Sequence, residues 1–90
     1  MTSNDQQPIL FVSLTGDEAI SVYNISSDGA LSLRSTNPAH GPSGALCLHP
    51  NLNIVYDAHV ESTTLASFKI NRETGTLHHQ NQVCFLQNHF

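Results

Sequence analysis

The sequence predicts an all-β chain built from four-stranded antiparallel sheets, and three observations carry that prediction. The first is a repeat: Ile9-Leu10-Phe11-Val12-Ser13 returns as Ile54-Val55-Tyr56-Asp57-Ala58, and Ile20-Ser21-Val22-Tyr23-Asn24-Ile25 returns as Leu65-Ala66-Ser67-Phe68-Lys69-Ile70, both 45 residues later. Asp28-Gly29-Ala30-Leu31 then returns as Thr74-Gly75-Thr76-Leu77, with one more residue in the intervening turn. The second is punctuation, since each short β-rich run is bounded by Gly, Pro, Asn or Asp. The third is the lack of any convincing amphipathic helical period. A repeat of about 40–50 residues made of short strands is the length of one propeller blade. Two such units are too few to close a ring. The expectation is therefore one complete blade over about 44–83 and a preceding one, over about 9–36, that lacks its inner strand.

Each element follows in order. Residues 1–8 read as a polar, disordered lead ending at Pro8. Ile9 to Ser13 is β-rich and stops at the polar loop Thr15-Gly16-Asp17-Glu18. Ala19 to Ile25 places Ile20 and Val22 on one face and Tyr23 and Ile25 on the other, which suits a strand buried between two packed sheets. Asp28-Gly29 marks a hairpin because glycine tolerates positive φ, and Ala30 to Thr36 follows as a more polar, outermost strand. Asn37-Pro38-Ala39-His40-Gly41-Pro42-Ser43-Gly44 is the strongest break. Ala45-Leu46-Cys47-Leu48, without charge, reads as a fully buried inner strand with Cys47 as a small core residue. His49-Pro50-Asn51 turns the chain, Asn53 to Ala58 and Thr64 to Ile70 repeat the first two strands, and Thr76 to Val83 is the last. Phe11, Tyr23, Tyr56 and Phe68 sit at equivalent blade positions and read as packing between blades.

Composition narrows the class. Charged residues are 11% of this 90-residue chain, against about 25% in ordinary globular domains, which fits sheets covered by neighbours. Net charge is −4, with Arg34, Lys69 and Arg72 the only fixed cations. A nucleic-acid partner needs a cationic footprint, so that class is excluded. No apolar run approaches the roughly 20 residues of a membrane span, and the polar N-terminus is no secretory signal. Cys47 and Cys84 form neither a Cys-x-x-Cys pair nor a disulfide framework. The expected setting is reduced and cytoplasmic, without a membrane partner.

The order Gly41-Pro42, Ala45-Leu46-Cys47-Leu48-His49-Pro50-Asn51, Ile54-Val55-Tyr56, Leu65-Ala66-Ser67-Phe68-Lys69-Ile70, Thr74-Gly75-Thr76-Leu77 resembles the blades of the lactonase-type seven-bladed β-propellers. That family includes propeller 6-phosphogluconolactonases and the fungal carboxy-cis,cis-muconate cyclases. The resemblance runs from Ile9 to Val83, about the first quarter of such a protein, and starts as the family's N-terminus does. Cys84-Phe85-Leu86-Gln87-Asn88-His89-Phe90 departs from the pattern, as a truncated or mis-spliced product would. The resemblance implies a hydrolase opening a sugar lactone, with the isolated chain inactive. The alternatives it leaves are the cycloisomerase branch and a non-catalytic interaction module.

Strand alternation places loops 14–18, 37–44 and 59–63 at one end of the blades, where propeller sites commonly lie at the channel mouth. His49 and both Gly hairpins fall at the other. His40 is the first candidate for a general base, because its loop leads to the inner strand and an imidazole titrates near neutrality. The plain alternative is a solvent-exposed loop histidine. His59 with Glu61 could orient a base or polarise a carbonyl, or simply link two strands. Asp17 and Glu18 are candidates for substrate contact and also serve as turn residues. His78-His79 are adjacent, so on a strand they point to opposite faces and cannot chelate one ion together. No metal and no cofactor is expected. A phosphorylated substrate needs Arg or Lys donors, and none of the three cations falls at this end, so those donors are expected from other blades. Uncovered blade faces and strand edges give self-association as a further expectation.

Overall fold

The computed structural model describes residues 8–84, and these form seven strands in two antiparallel sheets with no helix among them. The first sheet contains β1 (Ile9–Leu14), β2 (Ala19–Ile25) and β3 (Leu31–Pro38), in that spatial order. The second contains β4 (Ala45–Leu48), β5 (Ile54–Ala58), β6 (Thr64–Asn71) and β7 (Thr76–Cys84), again in chain order. These are the predicted blades, one of three strands and one of four. The strand β3 runs two residues further than the sequence indicated, because Asn37 and Pro38 still pair with Ile20 and Ala19. The proline is tolerated because β3 is an edge strand and needs no outward N–H bond. The N-terminal lead and the C-terminal tail named above lie outside the described residues, except for Pro8 and Cys84.

The repeat is visible in the register. Ile9 faces Asn24 across β1 and β2, and Ile54 faces Lys69 across β5 and β6. Each sheet also carries one bulge, between Val22 and Tyr23 and between Ser67 and Phe68, again 45 residues apart. In each case the outermost strand supplies the extra residue, Arg34 or Gln80. The longer offset of the third strand pair thus comes from the turn before it.

The two sheets stack face to face, β1 against β4 and β3 against β7. Between them lies the core: Ile20 and Val22 of β2, Ala39 of the connection, and Val55, Ala66, Phe68, Ile70 and Leu77 of the second sheet, flanked by Ile9, Phe11 and Leu46. Burying a side chain such as Phe68 or Ile20 contributes about 1.5–3 kcal/mol. Polar bonds fix how the sheets sit. Ser35 Oγ donates to the Gly75 carbonyl at 2.6 Å, and Asn37 Oδ1 accepts from the Leu77 amide at 3.1 Å. Arg34 donates to the Glu73 carbonyl at 2.8 Å.

Three expectations about burial need correction. Ala45, Cys47 and Leu48 are exposed and only Leu46 is partly covered, so β4 is not a fully buried strand. It is the edge of its sheet, and of its four side chains only Leu46 packs against the core, Leu48 on the same face remaining exposed. Cys47 is consequently exposed rather than a core residue. Of the four aromatics, Phe68 and Phe11 do pack between the sheets, whereas Tyr56 and Tyr23 lie on the outward faces. Equivalent residues occupy the same face of each sheet, and a stack of two sheets has only one shared space. Among the described residues no helix is long and apolar enough to cross a membrane, which says nothing of β-barrels.

Candidate functional site

The connection 39–44 leaves the outer edge strand of the first sheet and reaches the opposite edge strand of the second. It therefore crosses the whole end of the second sheet, and the strands beneath it hold it at several points. Ala39 donates its amide to the Glu18 carbonyl at 2.8 Å, and the Pro42 carbonyl accepts from the Val60 amide at 2.8 Å. Thr15 Oγ1 donates to the Ser43 carbonyl at 2.8 Å and Ser13 Oγ to the Gly44 carbonyl at 2.5 Å. The hairpins 15–18 and 59–63 thus share one end of the molecule with the connection, as strand alternation requires.

Beneath the connection lies a buried pair that the sequence reading did not single out. Asp57 is fully buried in β5, and its Oδ1 accepts the Gly44 amide at 2.9 Å. Its Oδ2 lies 3.6 Å from His59 Nε2 and has no hydrogen-bond partner among the described residues. The same Nε2 is 3.1 Å from the Ala39 carbonyl. An atom set between a carbonyl and a carboxylate oxygen must carry a proton, so His59 Nε2 donates to the Ala39 carbonyl. The other edge of the ring faces Gly41: a Cβ there would stand 2.5 Å from Nδ1. Gly41 has φ of 152° and is the one residue type that lets the chain pass so close to the imidazole. Gly44 is fixed by the same logic, since its Cβ would meet the Ala58 carbonyl oxygen at 2.4 Å. Ser43 is also fully buried, its hydroxyl without a partner among the described residues.

The named candidates separate accordingly. His59 is buried and engaged with Asp57 and Ala39, not with Glu61, which stands exposed at φ of 60°. These two contacts tie the end of β5 to the connection. His40 is exposed at φ of 62°, with its ring 4.2 Å from that of His79 on β7. It thus sits toward the outermost strand rather than beside β4, because the connection begins at the outer edge and His40 is near its start. Asp17 and Glu18 are exposed on the β1–β2 turn. His49 is at the far end, where Nδ1 accepts the Asn51 and Leu52 amides at 3.0 Å each.

None of the three fixed cations is at this end. Arg34 is bound to Asn24 and Glu73, Arg72 donates to Asn53 at 3.0 Å, and Lys69 is exposed on the outward face of β6. An open concavity of about 830 Å³ lies at the opposite end, lined by Leu52, Ile54, Lys69, Arg72 and His78 among others. It is a surface of the uncovered sheet, remote from the connection. Among the described residues no three His, Cys, Asp or Glu side chains converge as a metal site would require.

Stacked antiparallel sheets of three and four strands, repeated every 45 residues and joined by a strap from outer to inner edge, define a β-propeller architecture. A family model described as "Lactonase, 7-bladed beta-propeller" matches residues 2–88, and the chain belongs to that family. The match extends beyond 9–83 on both sides, so it takes in most of the tail that had looked foreign to the pattern. No curated protein matches the chain. Asp57 had one sequence signal that was available: it is a carboxylate within a β run whose counterpart 45 residues earlier is Val12. Nothing local distinguishes Ser43.

Proposed function

We propose that these two blades belong to a lactonase of the 6-phosphogluconolactonase type, hydrolysing the ring ester of a phosphorylated sugar lactone. The observation that carries this reading is the family match over nearly the whole chain, supported by a tightly held strap at the end where 14–18, 39–44 and 59–63 meet. In the reaction water adds to the lactone carbonyl, the ring C–O bond breaks, and the released oxygen takes a proton to give the open hydroxy acid. His40 is the exposed imidazole available to accept the proton of that water, while Asp17, Glu18 and Glu61 furnish an acidic rim. His59 and Asp57 serve as positioning residues for the strap. The phosphate requires cationic donors, and these we assign to further blades. A chain lacking them is accordingly inactive, and the working compartment is the cytoplasm.

The test compares the 90-residue chain with a product carrying further blades, each assayed by acid release from 6-phosphoglucono-δ-lactone. Turnover by the longer product alone is the expected result. A longer product that ignores the lactone but closes carboxymuconate assigns the chain to the cycloisomerase branch. One that does neither makes the propeller an interaction module.

A further inference from the structure

The adjacent histidines of β7 divide between the two faces of the second sheet. His78 pairs across the sheet with Lys69, on the outward face, and His79 pairs with Phe68, which is buried between the two sheets. Residues directly opposite each other on neighbouring strands share a face, so His79 belongs to the seam between the sheets. Further blades stacked on the outward faces leave that seam as it is.

Within the seam His79 is held by two neighbours and in turn meets a third. Its Nε2 donates to Gln82 Oε1 at 3.1 Å, an oxygen that can only accept. The ring of Phe68, itself buried in the core, meets it edge-on, with centroids 5.3 Å apart and planes at 75°. The ring of His40 then lies with its centroid 4.2 Å from that of His79. His79 is half-buried and His40 is exposed. An exposed imidazole with no neighbour spreads over three χ1 wells and about two ring orientations. A general base acts only from the orientation that reaches its proton. The contacts running from the core through Phe68 and His79 take that freedom from His40.

We infer that His79 is a positioning residue for His40: its ring, fixed by Gln82 and Phe68, holds the His40 imidazole in one orientation before substrate arrives. A base oriented in turn by another group is a recurring arrangement in catalysis. The inference rests on the reading of His40 as the base that activates water. His79 itself touches no reacting atom. Freed over about six orientations, His40 would be productive about one-sixth of the time, so the effect belongs to kcat rather than KM.

The test uses the product carrying further blades, assayed on 6-phosphoglucono-δ-lactone. His79→Ala is expected to lower kcat about three- to sixfold and to leave KM within about twofold. His79→Phe, which keeps a ring between Phe68 and His40, is expected to recover most of that loss. Turnover that falls with His40→Gln and is untouched by His79→Ala overturns the inference and leaves the reading of His40 standing. Turnover untouched by His40→Gln, or no turnover of the lactone at all, defeats that reading and the inference with it. Should His79→Ala fail to fold, NMR of the native 90-residue chain decides. Ring-to-ring nuclear Overhauser contacts between His40 and His79, with a single His40 χ1 rotamer, are expected there. A His40 side chain averaging over several rotamers overturns the inference.

Discussion

At matching places the first sheet carries Val12 and Leu14 on β1, and the second carries Asp57 on β5 and His59 just beyond its end. The strands are otherwise alike in length, pairing and position. What differs is the neighbour: β5 runs beside β4 and under the strap that leads into it, while β1 is the edge of its sheet. The strap brings a backbone amide, from Gly44, and a carbonyl, from Ala39, into a buried place where each needs a partner. Asp57 and His59 answer those two needs. The comparison teaches that a buried acid and imidazole can be matched to the backbone groups of a chain crossing overhead.

The largest expected effect separates the shared face from the outward one. Phe68 fills the core and Tyr23 occupies the equivalent outward position. Phe68→Ala should cost about 3–5 kcal/mol, and Tyr23→Ala about 1 kcal/mol, read from urea midpoints. Equal losses would mean that the sheets do not stack as described. Next is Asp57→Val, which makes β5 resemble β1. It leaves the Gly44 amide and His59 without their partner, at a cost of about 3 kcal/mol, whereas Val12→Ala should cost about 1 kcal/mol. Hydrogen exchange at the Gly44 amide should accelerate only in the first variant. A Gly44 amide already exchanging freely in the native chain would break the assignment of Asp57 as its acceptor.

Gly41→Ala drives a methyl group into the His59 ring, and about 1–3 kcal/mol is expected. Gly16→Ala meets nothing within 4 Å and is expected to be close to neutral. The smallest contrast lies between the hairpins. Asp28 accepts from Ser26 Oγ and from the Ala30 amide, which hold its carboxyl below the ordinary value of 3.8. A depressed carboxylate contributes stability above its unfolded pKa that is lost as pH falls through the lower folded one, so this turn should loosen only below about pH 4. In the second hairpin the neutral Asn71 side chain caps the Glu73 and Thr74 amides, so no matching acid step arises there. Carboxyl NMR titration reads this directly. A midpoint for Asp28 at or above 3.8, or one that Ser26→Ala fails to raise, would contradict the account.

The strands, turns and their order were legible because they rest on local signals: alternation, Asp28-Gly29, Thr74-Gly75 and the prolines of the connection. The side of each sheet that would be covered was not. Leu46, Cys47 and Tyr56 read as interior residues on composition, yet only the sheet that stacks on them decides it, and for Cys47 and Tyr56 none does. The candidate end was legible as a set of loops, since strand direction alone assigns them. The Asp57–His59 pair was not, because the Ala39 and Gly44 groups it serves belong to another segment and nothing in β5 points to them. His40 lies beside His79 of β7, although its loop leads to the inner strand. That placement depends on how far along the strap it lies.

The matching bulges at Arg34 and Gln80 bear on how this molecule could misassemble. A bulge bends its strand and increases local twist, and here it does so on the outermost strand of both sheets. Cross-β fibrils require flat ribbons on which a new chain can lay its backbone amides in sequence. A kinked border interrupts that template halfway along. Sideways accretion is therefore blunted at both rims, even though the greasy flats of the sheets stay sticky.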